Sequence, residues 1–436
     1  MTAPGAPSPG LARSRRSAFA AGVVLLVLYA LAVLSIGLTR DFVLLHEDNG
    51  AMQTTFALSH LRLGLARTRA CNVFFEPGTG LLSPYAHHPP GTGLALAAAF
   101  AVTGSDAPAV ARAVAIAFHV ASIFVMVAVL SRLVPAHVAL LGGAVMATLP
   151  MGAYFGRMVN FEPLCLLGIT LQLFGYVRMK QDSPARGLPV LVAGIALGGV
   201  IDWASFFFTA AIAMAIAVDD LGERPRQPWA LSVVAIAAAG LFALEVIQPW
   251  YAEPGSLLPL GEVAMRPPSL GSMPSEALAF VASQLLTAQR YYTDAGLVSA
   301  LAVAAAMIAP RSCLGARVLG VGDPALVHRL AAISSGAAAA YVLAAPSWAR
   351  LHAYWQFYAL PYVVLSMVLV GWSLWRAAAG RGRIIARALL VILALDAAIG
   401  SASTLIFRHT SPNPAAVRRT ADLRARFLAP TRAPGG

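Results

Sequence analysis

The segment AFAAGVVLLVLYALAVLSIGL, residues 18–38, decides the fold of this protein. It carries no charged side chain, and about 20 apolar residues are enough for a helix to cross a bilayer. Arg13, Arg15 and Arg16 precede it, and no small-residue cleavage site follows. We therefore predict an uncleaved anchor helix whose N-terminal side lies in the cytoplasm.

The composition of the whole chain agrees with a membrane protein. Of its 436 residues, 58% are apolar and 11% are charged, and the mean hydropathy is +0.73. A soluble domain carries about 25% charged residues, and a disordered chain needs low hydrophobicity, so both classes are excluded. The apolar runs are continuous, unlike the alternating strands of a β-barrel. We predict an all-α polytopic membrane protein with about 11 (10–13) transmembrane helices.

Hydropathy indicates where these helices lie. The predicted spans are 18–38, 107–131, 137–154, 162–179, 187–202, 203–218, 228–247, 295–309, 328–346, 354–375 and 384–403. A further apolar run, 91–103, is too short to cross, and we predict a surface or re-entrant helix in the long first outer loop.

The basic residues, thirty arginines and Lys180, test this topology. If 91–103 does not cross, 16 of them lie in the N-terminus and the short cytoplasmic loops, 9 in outer loops and 6 in the C-terminal tail. If it crosses, the outside holds 17 and the inside 8, against the positive-inside bias. The net charge of +12 is thus interpreted as an orientation signal, and we predict no nucleic-acid partner.

The chain divides into three regions. These are a cytoplasmic N-terminus (1–17), a transmembrane domain (18–403) and an Arg- and Pro-rich tail (404–436) that we predict to be poorly ordered. In an eleven-span topology the six arginines of the tail lie on the outer side, so the positive-inside bias does not explain them. Because the outer loops 39–106 and 248–294 are long, we expect the functional site on the outer face.

The first outer loop begins LLHEDNG (44–50), with two adjacent carboxylates, Glu47 and Asp48, directly after a span. A carboxylate at a membrane boundary can act as a general base or hold a divalent metal. The alternative is a solvated loop start with a turn at Asn49-Gly50.

The same loop ends YAHHPPG (85–91), where the prolines predict a helix start. Tyr85, His87 and His88 lie just before it, and the histidines could bind metal or phosphate or orient a carboxylate. The alternative is a pair of histidines that merely tolerate the membrane interface.

Two later segments also fall on the outer side, GRMVNFEP (156–163) and WARLHAYW (348–355). Arg157 could contact a phosphate, or it could simply extend its side chain to the membrane interface. Glu162 could be a second acidic ligand, or it could be an acidic residue that stabilises the start of a helix. In the later segment Arg350, His352 and Tyr354 could hold a lipid phosphate and a sugar, or form part of an aromatic belt.

Three other acidic residues lie in or near spans. Asp202 and Glu245 fall near outer ends and could line the same cavity, and Asp396 fits a buried hydrogen-bonded partner. The sequence has no GxxxxGK[ST] phosphate loop and so gives no sign of ATP hydrolysis. Its three cysteines give no disulfide framework.

Together and in this order, these segments resemble the GT-C superfamily of membrane glycosyltransferases. They are similar to protein O-mannosyltransferases, lipid A aminoarabinose transferases and the bacterial RgtA/B/C/D-like group. The family pattern has an acidic pair, a His-Pro-Pro helix start, an Ala-Arg step, a Gly-Arg…acidic segment and an aromatic segment ending in Leu-Pro. The matching residues, within about 18–375, are Glu47-Asp48, His88-Pro89-Pro90, Ala111-Arg112, Gly156-Arg157…Glu162 and His352-Ala353-Tyr354…Leu360-Pro361.

The resemblance implies an inverting transfer of a hexose or pentose from a polyprenyl-phosphate donor to a glycan, lipid or protein acceptor. The site would face outward from the inner (plasma) membrane, among membrane lipids. By position Asp48 would be the base, with Glu47 second. The family usually has Asp-Glu where this chain has Glu-Asp, so the choice between the two stays open.

The resemblance also implies roles for the remaining residues. Arg112, Arg157 and Arg350 would bind the donor phosphate. The candidate substrate-binding residues are Tyr85, His87, His88, Glu162, His352 and Tyr354. Some members of the family use a divalent metal and others do not, so no cofactor is certain; the candidate ligands are Asp48, His88 and Glu162.

Two other functions fit such a chain. A secondary transporter or lipid flippase predicts inverted repeats and broken mid-membrane helices, and no internal repeat is evident. A surface-glycan polymerase or ligase would share the lipid-linked donor but join oligosaccharides, so product size would separate it from a single-sugar transferase.

Overall fold

The computed structural model describes residues 9–85, 88–222, 228–252, 273–308, 323–344, 346–376 and 382–428, and these are almost entirely helical. The α-helices are α1 (Pro9–Leu34), α2 (Asp48–Thr68), α3 (Gly91–Thr103), α4 (Pro108–Ser131), α5 (Ala136–Thr148), α6 (Phe161–Gln181), α7 (Pro184–Gly199), α8 (Ala204–Gly222), α9 (Pro228–Ala252), α10 (Met273–Ile308), α11 (Pro324–Ala344), α12 (Pro346–Leu351), α13 (Leu360–Arg376), α14 (Gly382–Thr410) and α15 (Pro414–Leu423). A short hairpin, β1 (Val73–Glu76) and β2 (Leu81–Pro84), follows α2.

The predicted class, an all-α polytopic membrane protein, is confirmed. Each predicted span overlaps a described helix, and six helical segments are long and apolar enough to cross a membrane by themselves. Other apolar helices have 10–17 residues. The helix α6 falls outside both groups, and its first turn and last turn carry the charges Glu162, Arg178 and Lys180.

The first outer loop folds back to where it began. The helices α2 and α3 pack together, and α4 begins directly after α3. Near the start of α4, the Nη1 of Arg112 donates a 3.0 Å hydrogen bond to the carbonyl of Leu38, just after α1. Residues 39–107 therefore start and finish at the same end of the bundle, which we call the first-loop end. This geometry supports the prediction that 91–103 does not cross.

The antiparallel pair α6 and α7 brings two acidic residues to this end. A Cβ added to Gly168 would lie 2.5 Å from the Cα of Gly198, so only glycine allows the two backbones to approach this closely. Because the helices run in opposite directions, the start of α6, with Glu162, lies beside the exit of α7, with Asp202. Packing in the middle of the bundle thus sets the spacing of these carboxylates at its end.

The helix α10 is kinked at Thr293, whose φ is +63°. Just beyond the kink, the amide of Ala295 donates a 2.7 Å hydrogen bond to Oδ2 of Asp396. Asp396 thus has the hydrogen-bonded partner that the sequence indicates. Helix α10 already begins at Met273, within the predicted loop 248–294, and of that loop 253–272 lie outside the described residues.

The C-terminal tail differs from the prediction of poor order. The helix α14 continues to Thr410, and α15 and one further helical turn follow, ending at Leu428. Leu423 and Phe427 are buried in an apolar cluster with Phe42 and Phe56 of the first loop. Tail-to-loop ion pairs are Arg419–Asp48 at 2.9 Å, Arg424–Asp41 at 2.8 Å and Arg426–Glu76 at 3.4 Å. The tail orders because its apolar face has a place to be buried.

These contacts constrain the number of crossings. The exit of α1 and the exit of α14 lie at the same end, so the chain crosses an odd number of times, as in an eleven-span topology. At the opposite end, Arg132 pairs with Asp182 at 2.7 Å, and Lys180 and Arg329 both pair with Asp219. Three basic residues of the short loops, Arg132, Lys180 and Arg329, thus lie at that opposite end.

We expect single cysteines to report these two ends. In a background without the native cysteines, Thr103→Cys and Ser411→Cys should react with a membrane-impermeant maleimide from one side, because both positions are exposed at the first-loop end. Ser131→Cys, exposed at the opposite end, is the matched control and should react only after the membrane is opened. Labelling of positions 411 and 131 from the same side would contradict this topology.

Candidate active site

A buried ion triad lies at the first-loop end. The carboxylate of Glu47 contacts Nη2 of Arg157 at 2.7 Å and Nη2 of Arg112 at 3.2 Å. The residues are 3%, 0% and 1% exposed, respectively. Buried charges need opposite charges and hydrogen bonds around them, and here one carboxylate serves two guanidinium groups.

The backbone after α1 completes the triad. Arg112 donates to the carbonyls of Leu38, Arg40 and Asp41, and Arg157 donates to that of Ile36. The guanidinium groups of Arg112 and Arg157, predicted to bind the donor phosphate, are thus occupied and shielded from solvent. Glu47 likewise has both oxygens engaged, since Oε2 also accepts a 3.2 Å hydrogen bond from the amide of Leu44.

Asp48 has a different environment from Glu47. It is the first residue of α2, where the helix dipole favours a carboxylate. Its side chain is 13% exposed, and Oδ2 accepts a 2.9 Å hydrogen bond from Arg419, whose side chain is 55% exposed. Oδ1 accepts no hydrogen bond from the described residues. Of the acidic pair, Asp48 is therefore the carboxylate that is partly open to solvent.

A second acidic group lies beside His88. The Nδ1 of His88 is 3.1 Å from Oδ1 of Asp202, and the hydroxyl of Tyr358 donates to Oδ2 of the same carboxylate. Asp202 is fully buried, and the His88 ring stacks on Phe161, with 4.1 Å between ring centroids. Asp202 therefore fixes the orientation of the His88 imidazole.

Glu162 adds a carboxylate with unmet hydrogen-bonding capacity. It is 2% exposed, and its Oε2 has no hydrogen-bond partner within the described structure. It lies within electrostatic range of Asp202, Tyr85 and Tyr354. A buried polar atom without a partner is rare in folded proteins, so Oε2 of Glu162 marks this region as a candidate binding position.

An aromatic cluster joins these groups. The rings of His352 and Tyr354 stack with centroids 4.9 Å apart, His46 lies 5.1 Å from Tyr354, and the Tyr354 hydroxyl interacts with Asn49 beside Asp48. Burial lowers the pKa of His46 to about 3 and that of His352 to about 4, and nearby positive charges add to the effect. Both imidazoles are therefore neutral at neutral pH. The Nδ1 of His352 has no hydrogen-bond partner within the described structure.

The fold and part of the sequence match known glycosyltransferases. A family model described as dolichyl-phosphate-mannose-protein mannosyltransferase matches residues 87–251. ArnT from Cupriavidus metallidurans bound to undecaprenyl phosphate is 13% identical, with a TM-score of 0.56 over 93% of this chain. The oligosaccharyltransferase AglB from Archaeoglobus fulgidus, in complex with an inhibitory peptide and a dolichol-phosphate, is 12% identical, with a TM-score of 0.51 over 97% of this chain.

The chain has the GT-C fold. The resemblance predicted from the sequence motifs is thereby confirmed at the level of the fold. The chain spans 75% of the ArnT structure and 61% of AglB. It spans 34% of a chain of the S. cerevisiae protein O-mannosyltransferase Pmt1-Pmt2 complex, at 14% identity over 55% of this chain, with a TM-score of 0.41. A search of the curated proteins finds no match.

The GT-C fold brings together most, but not all, of the predicted site residues. Asp48, Tyr85, His88, Glu162, His352 and Tyr354 lie around one region at the first-loop end. Arg350 is exposed at the end of α12 and forms no hydrogen bond or ion pair with the described residues. His87 and the side chain of Glu245 lie outside the described residues.

The candidate metal ligands do not form a ready-made site. Within the described ranges, no three His, Cys, Asp or Glu side chains come together as metal ligands. Instead, His88 contacts Asp202, and Asp48 contacts Arg419. The residues present therefore do not fit a divalent ion as arranged, and we derive no step through a metal.

Sequence reasoning missed Arg419 and the Tyr358 hydroxyl. The signal for Arg419 was present in the six tail arginines, which lie on the side where the positive-inside bias does not place them. The structure gives three of them carboxylate partners in the first loop. No comparable signal marks Tyr358, which lies among other aromatic residues of the interface.

We expect Glu47→Gln to destabilise the protein strongly. It leaves two buried guanidinium groups without a counter-charge, and breaking a buried pair in this way costs about 3–5 kcal/mol. Asp182→Asn is a matched control, because Asp182 also contacts two arginines, Arg132 and Arg178, but near the surface, where the loss of an ion pair has little effect on stability. The measurement is the thermal unfolding temperature in detergent. An equal fall for both variants would contradict the structural role of Glu47.

We also expect stability to fall as the pH is lowered from about 6.5 toward 4. Unfolded histidine titrates near pH 6.5, whereas folded His352 titrates at about 4, so the unfolded state binds more protons in this range. His352→Gln should reduce this slope by up to about 1.4 kcal/mol per pH unit. Unfolding temperatures at several pH values test this, and an unchanged slope in His352→Gln would refute it.

Proposed function

We propose that this protein is a glycosyltransferase that moves a sugar from a polyprenyl-phosphate donor to an acceptor, with inversion. The observation that carries the proposal is an accessible carboxylate, Asp48, beside buried Glu162 and the His88–Asp202 pair in a chain with the GT-C fold. ArnT and AglB were solved with undecaprenyl phosphate and dolichol-phosphate, respectively, which supports a lipid-phosphate donor here.

Asp48 is the proposed base. In the reaction, an acceptor oxygen or nitrogen forms a bond to the anomeric carbon while the bond from that carbon to the phosphate oxygen breaks. Asp48 takes the proton of the acceptor, and the phosphate leaves on its lipid with the bonding electron pair. Attack opposite to the leaving group inverts the configuration. Glu47 is not suited to this role, because both its oxygens are engaged by Arg112, Arg157 and Leu44.

The remaining groups bind and orient the substrates. Glu162 and His352 have unpartnered buried atoms, Oε2 and Nδ1, that sugar hydroxyls would satisfy. Trp348, 43% exposed and stacked on His352, offers an aromatic face to a sugar ring. We propose that Arg112 and Arg157 act on the phosphate through space, since with Glu47 they form a group of net charge +1 behind the site. Arg350 remains a candidate for direct phosphate contact.

The proposed location is the outer face of the inner (plasma) membrane. Arg132, Lys180 and Arg329 lie at the end opposite the site, and short loops that carry basic residues normally face the cytoplasm. A donor whose lipid tail stays in the bilayer can present its phosphate at the first-loop end. The proposed transfer covers hexoses and pentoses, with a glycan, lipid or protein as acceptor.

We expect Asp48→Asn to reduce sugar transfer by about 10²–10⁴-fold, because it removes the proton acceptor. The assay follows transfer from radiolabelled polyprenyl-phosphate sugars by the purified protein with a membrane extract as acceptor. Glu76→Gln is the control, since Glu76 is a carboxylate of the same loop that contacts Arg426 instead of the site. Undiminished transfer by Asp48→Asn would refute the assigned base. Substrate flux without a glycosidic product would favour a transporter.

A further inference from the structure

Two of the arginines predicted to bind the donor phosphate are not exposed beside Asp48, the proposed base. Arg112 and Arg157 are buried and held by Glu47 and by backbone carbonyls. A leaving phosphate gains negative charge in the transition state and needs a positively charged group at the site. Arg350 is exposed, but it forms no hydrogen bond or ion pair with Asp48 or with the other described residues. Direct contact beside the base therefore requires another cation near Asp48.

The C-terminal helix α15 is firmly attached beside Asp48. Its N-cap, Asn413, accepts hydrogen bonds from the amides of Ala415 and Ala416, each at 3.0 Å. The hydroxyl of Thr420 donates a 2.6 Å hydrogen bond to the carbonyl of Phe42, and the amide of Asn413 donates one of 2.8 Å to that of Val43. The helix thus has a fixed position against the loop that leads to the acidic pair.

Arg419 lies on this helix directly before the anchoring residue Thr420. Its Nη1 is 2.9 Å from Oδ2 of Asp48, and it lies within electrostatic range of Tyr85 and His352. More than half of its side chain is exposed to solvent, in contrast to Arg112 and Arg157. Arg419 is therefore a cation that reaches the base and remains open to an incoming anion.

We infer that Arg419 binds the phosphate of the lipid-linked donor and that it exchanges Asp48 for this phosphate when the donor arrives. The inference rests on the proposed function and adds a donor-binding residue from the C-terminal tail. A guanidinium group binds phosphate through two parallel hydrogen bonds. A partly exposed ion pair is weak, so a phosphate competes well with Asp48 for Arg419. Once released, Asp48 has both oxygens free to accept the proton of the acceptor.

The neighbouring residue provides a matched control. Arg418 is exposed on the same helix, and no hydrogen bond or ion pair joins it to another described residue. Arg418→Gln removes the same charge from the same tail without touching Asp48. Arg419→Lys keeps the positive charge but loses the paired geometry. These variants separate a specific contact from the general attraction of a basic tail.

The test measures binding and transfer separately. Binding of polyprenyl phosphate, without a sugar, is measured by titration of the purified protein in detergent, and transfer kinetics give KM for the donor and kcat. We expect Arg419→Gln to raise both the Kd for polyprenyl phosphate and KM for the donor by about 10- to 100-fold, the worth of a charged hydrogen bond. Arg419→Lys should be intermediate, and Arg418→Gln should stay within about twofold of the wild type.

Other results would overturn the inference. One such result is an equal Kd for Arg419→Gln and the wild type. Another is an equal effect of Arg419→Gln and Arg418→Gln. The third is that the wild type does not bind polyprenyl phosphate. A fall in kcat alone would show that Arg419 acts on Asp48 and not on the donor. Unchanged protease resistance of the tail in Arg419→Gln shows that helix α15 stays in place. If the helix is displaced in Arg419→Gln, the Kd and KM of Arg419→Lys test the inference instead. Binding without transfer by the wild type would contradict the proposed function but leave the role of Arg419 testable.

Discussion

The two ion pairs of Glu47 organise the first-loop end of this protein. One carboxylate joins the backbone after the first span to an arginine of α4 and to another between α5 and α6. Each arginine also binds carbonyl groups that would otherwise lack partners outside a helix. Because Asp48 is the next residue, the same interaction fixes where α2 begins and where the candidate base stands. The acidic pair thus combines a buried structural residue with the candidate base.

The rest of the site follows from helix direction and helix length. The antiparallel pair α6 and α7, held close at Gly168 and Gly198, delivers Glu162 and Asp202 to the end where the triad lies. The aromatic segment before α13 supplies Tyr354 and Tyr358 from the other side. No single segment forms the site, so its geometry depends on the packing of the whole bundle.

Much of this was predictable from the sequence, and the limits have a physical reason. The spans follow from apolar length, and the arginine count already indicated that 91–103 does not cross. The ion-pair partners could not be predicted, because Glu47 and Arg157 are 110 positions apart in the sequence and Asp48 and Arg419 are 371 positions apart. Charge composition does not tell which of several cations a carboxylate meets. The tail was misjudged because its burial depends on a cluster that exists only after folding.

The distance along the chain between Asp48 and Arg419 also has a consequence in time. Ribosomes add roughly 5–20 residues per second, so the interval between making these two residues is on the order of half a minute. During that interval the acidic end of the first loop has been made but its arginine partner has not. The contact between Asp48 and Arg419 forms only after the last span has been made, so unfinished chains lack the tail that completes the first-loop end.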